Sequence, residues 1–241
     1  MDRNRDKYIP AFSYSFLTSL YDFIMQWTMR ESTFKRRLVE QARIEKGHRV
    51  LDIGCGTATL TILIKKAHPE AEVIGLDGDP KILEIARSKV TKASVDIALN
   101  YGMVFELPYP EASFDRVIAS LVFHHLTWEN RVSSFKEVFR VLKPGGELQI
   151  ADLGKPQNAL MYLISLVIRC LEETSDNVKG LLPEMLRNAG FDQVEETAKY
   201  MTIFGTLALY RTRKPMDTLE TARIRKTKHA KTRNQKLDEE K

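Results

Sequence analysis

Two aspartates frame a glycine-rich turn in the first half of the chain. Asp52 lies two residues before Gly54 in the run VLDIGCG (50–56), and Asp77 follows Gly56 by 21 residues. Glycines between a strand and a helix let the backbone approach a ligand closely and leave helix N–H groups free. A fixed carboxylate at that point repels a phosphate and attracts a cation. The spacing therefore favours a ligand that carries positive charge.

The turn also departs from the pattern of dinucleotide-binding loops. Such loops need glycine or alanine three residues after the second glycine, where this chain has Thr59. Asp77 stands where an acidic residue accepts hydrogen bonds from both hydroxyls of a ribose. The alternative is that the segment DGDP (77–80) is only a turn and a helix cap. A nucleoside with an ammonium at its other end, such as S-adenosylmethionine, satisfies the glycines and both aspartates.

The elements that position these residues alternate along the chain. Apolar runs predict strands at 49–53, 73–77, 95–99, 114–121, 147–152, 194–202 and 206–212. Helical patterns cover 31–44, 58–67, 80–90, 128–142, 158–171 and 181–189. This alternation predicts an α/β fold, a doubly wound and mostly parallel sheet with helices on both faces. The short gap near 204–205 predicts an antiparallel hairpin at the end.

Six ordered motifs carry a resemblance to a known family. They are DIGCG (52–56), Asp77, LP (107–108), SFD (113–115), SLVFHHL (120–126) and LKPGG (142–146). Together they resemble the class I S-adenosylmethionine-dependent methyltransferases, and most closely the small-molecule branch that includes the ubiquinone/menaquinone C-methyltransferases. The resemblance covers about 31–152 well. It implies a seven-stranded sheet in the order 3-2-1-4-5-7-6, with strand 7 antiparallel.

The resemblance also implies where the cofactor, S-adenosylmethionine, is bound. The residues implied at its methionine end are Asp52, Gly54, Cys55 and Gly56. Asp77 would hold the ribose, Gly78 would lie against the adenosine, and Ser120 would lie below the sulfonium.

Two positions depart from the family pattern. Ala58 stands where the family usually has glycine, which makes the loop bulkier. The segment Gly102-Met103-Val104 stands where the family has Gly-Asp-Ala, so the carboxylate that would bond the adenine amino group is absent. We expect Met103 to pack on the adenine ring, with backbone contacts there and at Val104. This departure keeps open an alternative, a homologue that binds the cofactor without transferring a methyl group.

His124 and His125 follow the fourth strand, where the acceptor substrate is expected. His124 is the candidate for taking a proton from a phenol or an activated carbon, and otherwise the catalytic residues stay unassigned. The alternative is that a histidine only packs against or caps the turn at 126–128. Both histidines are predicted to contact the substrate. Adjacent side chains on an extended segment point in opposite directions, so no metal site is predicted.

Two further segments are expected to border the cleft. Residues 1–45 are predicted to form a helical cap, and Tyr21 among its aromatic residues is a candidate cofactor contact, with Arg30 a weaker one. The predicted helix 158–171 is apolar on nearly every side, which indicates burial. It would be buried within the fold, against a second subunit in a homodimer, or against a hydrophobic acceptor.

Composition and charge restrict the function. The chain has 241 residues, 43% hydrophobic, two cysteines and a net charge of +5. Eleven Lys or Arg against five Asp or Glu lie in 211–241, so the preceding part has a net charge of −1. We therefore predict a methyltransferase domain at 46–212 and a basic tail at 213–241, with no nucleic-acid partner. A nucleic-acid methyltransferase is disfavoured further because SLVF (120–123) lacks the prolines of an Asn/Asp-Pro-Pro-Tyr turn.

The predicted protein is thus a cytoplasmic enzyme that methylates a small, hydrophobic or aromatic acceptor. Its N-terminus lacks the apolar core of a secretory signal, and the longest apolar stretch is too short to span a bilayer.

Overall fold

The computed structural model describes residues 31–158, 161–162, 180–202 and 205–216. Tyr21, Arg30, most of the predicted helix 158–171 and the tail beyond Met216 lie outside the described residues. Of that segment the structure describes 158 and 161–162: the Asn158 side chain accepts a hydrogen bond from the Met161 N–H (2.9 Å), and residues 161–162 are helical.

The described residues form five α-helices and seven strands. The helices are α1 (Glu31–Gln41), α2 (Thr59–Ala67), α3 (Pro80–Ala93), α4 (Trp128–Val141) and α5 (Leu182–Asn188). The strands are β1 (Arg49–Ile53), β2 (Glu72–Asp77), β3 (Ala98–Tyr101), β4 (Phe114–Ser120), β5 (Leu142–Leu153), β6 (Asp192–Thr202) and β7 (Gly205–Arg213). A short 3-10 helix, Phe123–His125, follows β4.

All seven strands belong to one sheet in the order β3-β2-β1-β4-β5-β7-β6. The pairs from β3 to β5 are parallel, and β7 is antiparallel to both β5 and β6. The predicted fold class and strand order are confirmed. In the described part of the chain, no helix combines the length and apolar character needed to cross a bilayer.

The sheet has a hydrophobic layer on each face. Alternate residues of β1 divide between the layers, because successive side chains of a strand point to opposite faces: Leu51 and Ile53 join one, Val50 the other. α4 and α5 cover the first face with Phe135 and Leu186. α1 and α2 cover the second with Phe34, Leu38, Leu60 and Ile64. The helices packed on both faces hold the strands in place, and the candidate site described below lies at the ends of those strands.

Several element boundaries differ from those predicted. The third strand was predicted at 95–99 but is formed by Ala98–Tyr101, whose register is set by pairing of Ile74 with Ala98 and of Asp77 with Tyr101. Such pairing is not visible in the local pattern. α1 ends at Gln41, three residues early, and Arg43 has a φ of 46°.

The SFD motif has a structural role at the amino ends of the strands. Asp115 Oδ2 accepts a hydrogen bond from the Arg49 N–H (2.8 Å), and Lys143 Nζ lies 2.8 Å from the same oxygen. Although burial works in the other direction, these hydrogen bonds lower the pKa of Asp115. The carboxylate thus ties the starts of β1, β4 and β5 together, at the opposite end of the sheet from the glycine turn.

Lys214 fastens the chain beyond β7 to the end of α4. The residue is 9% exposed, its Nζ donates to the Leu142 carbonyl (2.8 Å), and it lies 4.8 Å from the centre of the Phe139 ring. A cation at this place satisfies carbonyls that a helix end leaves unpaired. The predicted division at 213 stays a prediction, but Lys214 packs with the sheet domain.

We expect Lys214→Met to destabilise the protein by about 1–3 kcal/mol, because it leaves buried carbonyls without a donor. Urea unfolding measures the change. Lys81→Met, at an exposed position on α3, is the control and should change the free energy of unfolding by less than about 0.5 kcal/mol. Equal effects of the two substitutions would contradict the capping role.

Candidate active site

Four neighbouring parallel strands bring their carboxyl ends into one row. In the sheet, Ile53 of β1 pairs with Leu76 of β2 on one side and with Ala119 of β4 on the other. Ser120 of β4 pairs in turn with Ala151 of β5. After β1 the chain forms β2 and β3 on one side of β1, and it then crosses to form β4 on the other side. The gap between β1 and β4 is therefore a topological switch point. Ligands of open α/β sheets bind in the crevice at such a point.

The glycine turn after β1 has two glycines in the left-handed region with different surroundings. Gly54 has a φ of 61°, and a Cβ added there would lie 2.5 Å from Val122 Cγ2. Gly56 has a φ of 54°, and a Cβ there would have no heavy atom of the described residues within 4 Å. Gly54 therefore allows the β1 turn to touch the segment after β4, while Gly56 faces open space that a ligand can enter.

Ala58 occupies the third left-handed position, with a φ of 61° and ψ of 23°. Its methyl group is fully buried. The predicted bulkier loop is accommodated, because the extra carbon packs into the protein and away from the open space beside Gly56.

Two N–H groups of the turn, both before the first residue of α2, are paired within the protein. The Cys55 N–H donates to the Leu76 carbonyl (3.0 Å), and the Gly56 N–H donates to Asp77 Oδ2 (2.8 Å). The fold uses these donors to join the β1 turn to the end of β2. A phosphate would need such donors and would also meet the Asp77 carboxylate, so the turn is poorly suited to a phosphate.

Asp77 organises the turn instead of capping a helix. Its second oxygen, Oδ1, accepts from the Asp79 N–H (2.9 Å), and Asp79 itself caps α3 by accepting from the Lys81 N–H (2.8 Å). Burial raises the pKa of Asp77, and the hydrogen bonds from Asp79 and Gly56 oppose that shift. Each carboxylate oxygen offers two acceptor positions, so Asp77 keeps acceptor capacity for a ligand hydroxyl group.

Asp52 is a buried carboxylate on the other side of the turn. It is 1% exposed, and its Oδ2 accepts from the Thr61 hydroxyl of α2 (2.6 Å). Burial raises its pKa to about 7, against the hydrogen bond from Thr61 and the charge of Lys35, and Asp77 raises it further. Asp52 and Asp77 thus concentrate negative potential around an open, glycine-lined space, which fits a cationic ligand.

The remaining predicted cofactor contacts lie around the same crevice. Gly78 faces Met103, whose Sδ would lie 2.8 Å from a Cβ added at Gly78. Val104 is 7% exposed, and its side chain packs in the core. The Ser120 hydroxyl oxygen is buried and has no hydrogen-bond partner among the described residues.

Cys55 is a packed residue in this arrangement. The residue is 8% exposed, its Sγ lies close to Gly75, and burial raises the pKa of the thiol. A protonated, buried thiol is a weak nucleophile.

His124 and His125 lie together in the 3-10 helix after β4. Their ring centres are 3.9 Å apart, so the expectation that they point in opposite directions on an extended segment is wrong. His124 Nδ1 lies 2.7 Å from Asp152 Oδ1. Desolvation, followed by the effect of His124, lowers the pKa of His125 to about 4, although part of that residue is exposed. Within the described ranges, no group of three or more His, Cys, Asp or Glu residues could hold a metal ion.

Comparison with known proteins agrees with this geometry. Residues 50–146 match the family model described as "Methyltransferase domain". Demethylmenaquinone methyltransferase of Listeria monocytogenes is 31% identical over 205 residues, covering 76% of this chain and 84% of the relative. Its counterpart in Deinococcus radiodurans is 30% identical over 186 residues, covering 74% and 76%. The chain belongs to the class I S-adenosylmethionine-dependent methyltransferases.

Solved structures show the same fold for this methyltransferase. The YcgJ protein of Bacillus subtilis superposes with a TM-score of 0.64 at 19% identity, covering 76% of this chain and 98% of that one. Phosphoethanolamine N-methyltransferase 2 of Haemonchus contortus, solved in complex with S-adenosyl-L-methionine, also gives 0.64, at 16% identity and 76% and 53% coverage. The present methyltransferase uses S-adenosylmethionine to methylate a small-molecule acceptor.

Sequence reasoning missed three polar residues that hydrogen-bond to the candidate site: Thr61 to Asp52, Asp152 to His124, and Arg131 to the turn that carries His124. Asp152 had the clearest signal, since it is the last residue of the predicted strand 147–152, beside the strand that precedes His124. Thr61 and Arg131 lie inside helices, and only packing shows that their polar groups turn toward the strand ends.

Alanine at three glycines should separate folding from binding. All three have positive φ, so each alanine costs about 1 kcal/mol of backbone strain. Gly54→Ala also meets Val122 and should lose about 2–4 kcal/mol in urea unfolding. Gly56→Ala and Gly47→Ala have open surroundings and should lose only the strain term. Calorimetry with S-adenosylhomocysteine should then find weaker binding for Gly56→Ala but not for Gly47→Ala. If Gly56→Ala and Gly47→Ala bound S-adenosylhomocysteine with equal affinity, the ligand would not lie beside Gly56.

Proposed function

We propose that this methyltransferase transfers the methyl group of S-adenosylmethionine to a small hydrophobic acceptor that carries an aromatic hydroxyl group. The main support for the cofactor site is the hydrogen bond from the Gly56 N–H to the Asp77 carboxylate. A second buried carboxylate, Asp52, lies on the other side of the turn. A dinucleotide would bring phosphates to this point, and a cationic nucleoside would not.

The proposed contacts follow the row of strand ends. The methionine part of the cofactor lies against the turn, at Asp52, Gly54, Cys55 and Gly56. Asp77 accepts hydrogen bonds from the ribose hydroxyls. Gly78, Met103 and the Val104 backbone border the adenine, and Ser120 lies below the sulfonium. Tyr21, outside the described residues, is proposed to close the site from the N-terminal cap.

When bound, the cofactor supplies an electrophilic methyl group, so the protein's main contribution is alignment and exclusion of water. Asp52 offers a carboxylate to the cation. The bonds from the β1 turn to Leu76 and Asp77 hold the turn before the ligand arrives, which reduces the ordering required on binding.

The acceptor class is inferred from two sources. The relatives at about 31% identity are named for methylation of demethylmenaquinone. In this chain His124 and His125 follow β4, next to the turn, and His124 is held by a carboxylate. A hydroxyl group on the acceptor ring gives such a histidine a proton to accept. We also propose that the reaction takes place in the cytoplasm, which cell fractionation tests. A homodimer is a further proposal, which analytical sedimentation tests.

The proposal is tested first by binding and then by turnover. Calorimetry should find S-adenosylmethionine and S-adenosylhomocysteine bound to the full chain, and NAD not bound. Transfer of a labelled methyl group should follow with reduced naphthoquinones or hydroxynaphthalenes. Binding of NAD in place of S-adenosylmethionine would refute the cofactor site. Tight cofactor binding with no transfer to any hydroxylated ring or to cell extract would favour a homologue without catalysis.

A further inference from the structure

We propose that Asp152 is a positioning residue that holds His124 as the proton acceptor for the hydroxyl group of the acceptor, an inference that rests on the proposed function. Neither residue is among those proposed to bind S-adenosylmethionine. Their arrangement concerns the second substrate and the proton that it loses.

The contact between the two side chains fixes which nitrogen of His124 carries the proton. Nδ1 lies 2.7 Å from Asp152 Oδ1, and the two side chains are 8% and 1% exposed. Burial opposes ionisation of Asp152, but His124 and the Leu153 N–H lower its pKa, so the group is a carboxylate. A carboxylate only accepts hydrogen bonds, so Nδ1 must donate. In the neutral form of His124 the lone pair is therefore on Nε2.

The backbone that carries His124 is held from two sides. Asp152 Oδ2 accepts from the Phe123 N–H (2.8 Å). On the other side, Arg131 of α4 is 3% exposed and donates to the carbonyls of Phe123 (3.0 Å) and Leu126 (3.1 Å). A buried carboxylate and a buried guanidinium are costly means of securing one short turn. This cost is understandable if the turn presents a functional group in a fixed position.

The same turn touches the cofactor crevice. Val122, two residues before His124, packs against Gly54 so closely that a Cβ added at Gly54 would overlap it. Ser120, at the end of β4, pairs with Ala151, the neighbour of Asp152. His124 thus lies at the border of the space assigned to the methyl group.

The step balances as a deprotonation coupled to displacement. His124 Nε2 takes the proton of the acceptor hydroxyl, and the O–H bonding pair stays on the acceptor. An electron pair of the resulting anion, at oxygen or at a conjugated ring carbon, forms the bond to the methyl carbon. The C–S bonding pair leaves with sulfur, giving S-adenosylhomocysteine. The imidazolium, paired with Asp152, later releases its proton to water.

Acceptors of different acidity test this role of His124. For 1-naphthol, which keeps its proton at pH 7.5, His124→Gln should lower kcat by about 10²–10⁴-fold. For 2,4-dinitro-1-naphthol, which is already ionised, the same substitution should change kcat by less than about threefold, because no base is needed. His68→Gln, at the end of α2, is the control and should leave both rates unchanged. An equal loss with both acceptors would overturn the proposal, since a structural role does not depend on acceptor acidity.

The part played by Asp152 is tested on the ligand-free protein. Nitrogen-15 NMR should find neutral His124 with its proton on Nδ1 in the wild type and a changed tautomer ratio in Asp152→Asn. That variant should also lose about 10–100-fold in kcat for 1-naphthol while its affinity for S-adenosylhomocysteine stays within about threefold. A proton on Nε2 in the wild type would overturn the proposal. Failure to bind cofactor, in contrast, would refute the proposed function, and the tautomer measurement does not depend on it.

Discussion

Asp77→Ala is expected to weaken binding of S-adenosylmethionine by about 1–3 kcal/mol, a factor of about 5–150 in Kd. Two effects combine in this loss. The ribose hydroxyls lose their carboxylate acceptor, and the Gly56 N–H loses the bond of 2.8 Å that ties the β1 turn to β2. Calorimetry at pH 7.5 on the full chain measures the change.

Two control variants divide the expected loss for Asp77. Asp79→Ala removes the cap of α3 and should cost about 1 kcal/mol of stability with little change in affinity. Asp77→Asn keeps the size of the side chain and removes its charge, so its affinity should lie between those of the wild type and Asp77→Ala. An affinity of Asp77→Ala equal to the wild type would show that the ribose is bound elsewhere.

Asp52→Asn is expected to stabilise the ligand-free protein at alkaline pH. The pKa of Asp52 is raised to about 7 by burial, so the folded state favours the protonated form relative to the unfolded chain. In the unfolded chain the pKa of Asp52 is near 4, and below that pH the group costs the folded state no stability. As the pH rises from there to about 7, Asp52 ionises in the unfolded chain but not in the folded protein, so the free energy of unfolding falls. Asparagine has no such loss. The advantage of the variant over the wild type should therefore grow by roughly 2–3 kcal/mol between pH 5 and pH 8.

Urea unfolding at both pH values measures this advantage, and Thr61→Val is a control of opposite sign. That variant removes the hydroxyl that donates to Asp52 Oδ2 (2.6 Å), so it should lower stability more at pH 8 than at pH 5. An advantage of Asp52→Asn that does not change with pH would show that the wild-type carboxylate is not destabilising.

The same carboxylate links cofactor binding to protons. A cationic ligand favours the ionised form of Asp52, so binding to the wild type should release protons near pH 7. Calorimetry in buffers of different ionisation enthalpy detects this release, and Asp52→Asn should lack that part of it. The variant that is more stable should also bind S-adenosylmethionine less tightly, as expected when a functional group is retained at a cost in stability.

The local sequence determined the features that depend on short-range chemistry. The run VLDIGCG predicts a strand and a turn, and the model has β1 and two glycines of positive φ at those positions. Pro80 predicts the start of α3, and its helix does begin there. The strand order came from the resemblance carried by several ordered motifs. The third strand was misplaced, because its short and partly polar segment is selected by pairing with β2.

Tertiary structure decided the features that depend on residues far apart in the chain. Asp152 meets His124 because β4 and β5 are parallel neighbours whose carboxyl ends coincide, a contact across 28 residues. Gly56 donates to Asp77 across 21 residues, a hydrogen bond that joins the β1 turn to the end of β2. Lys214, at the start of the predicted basic tail, is buried against the end of α4, 72 residues from the carbonyl that it caps.

The physical reason for this division is the range of the interactions. Backbone preferences, turn chemistry and hydrophobic period act over a few residues, so the sequence by itself determined the elements, the glycine turn and the two aspartates that mark the cofactor site. Burial exists only once the sheet has formed and water has been excluded from the strand ends. The raised pKa of Asp52 and the pairing of His124 with Asp152 depend on that burial. The chemistry of the acceptor side was therefore decided by the tertiary structure.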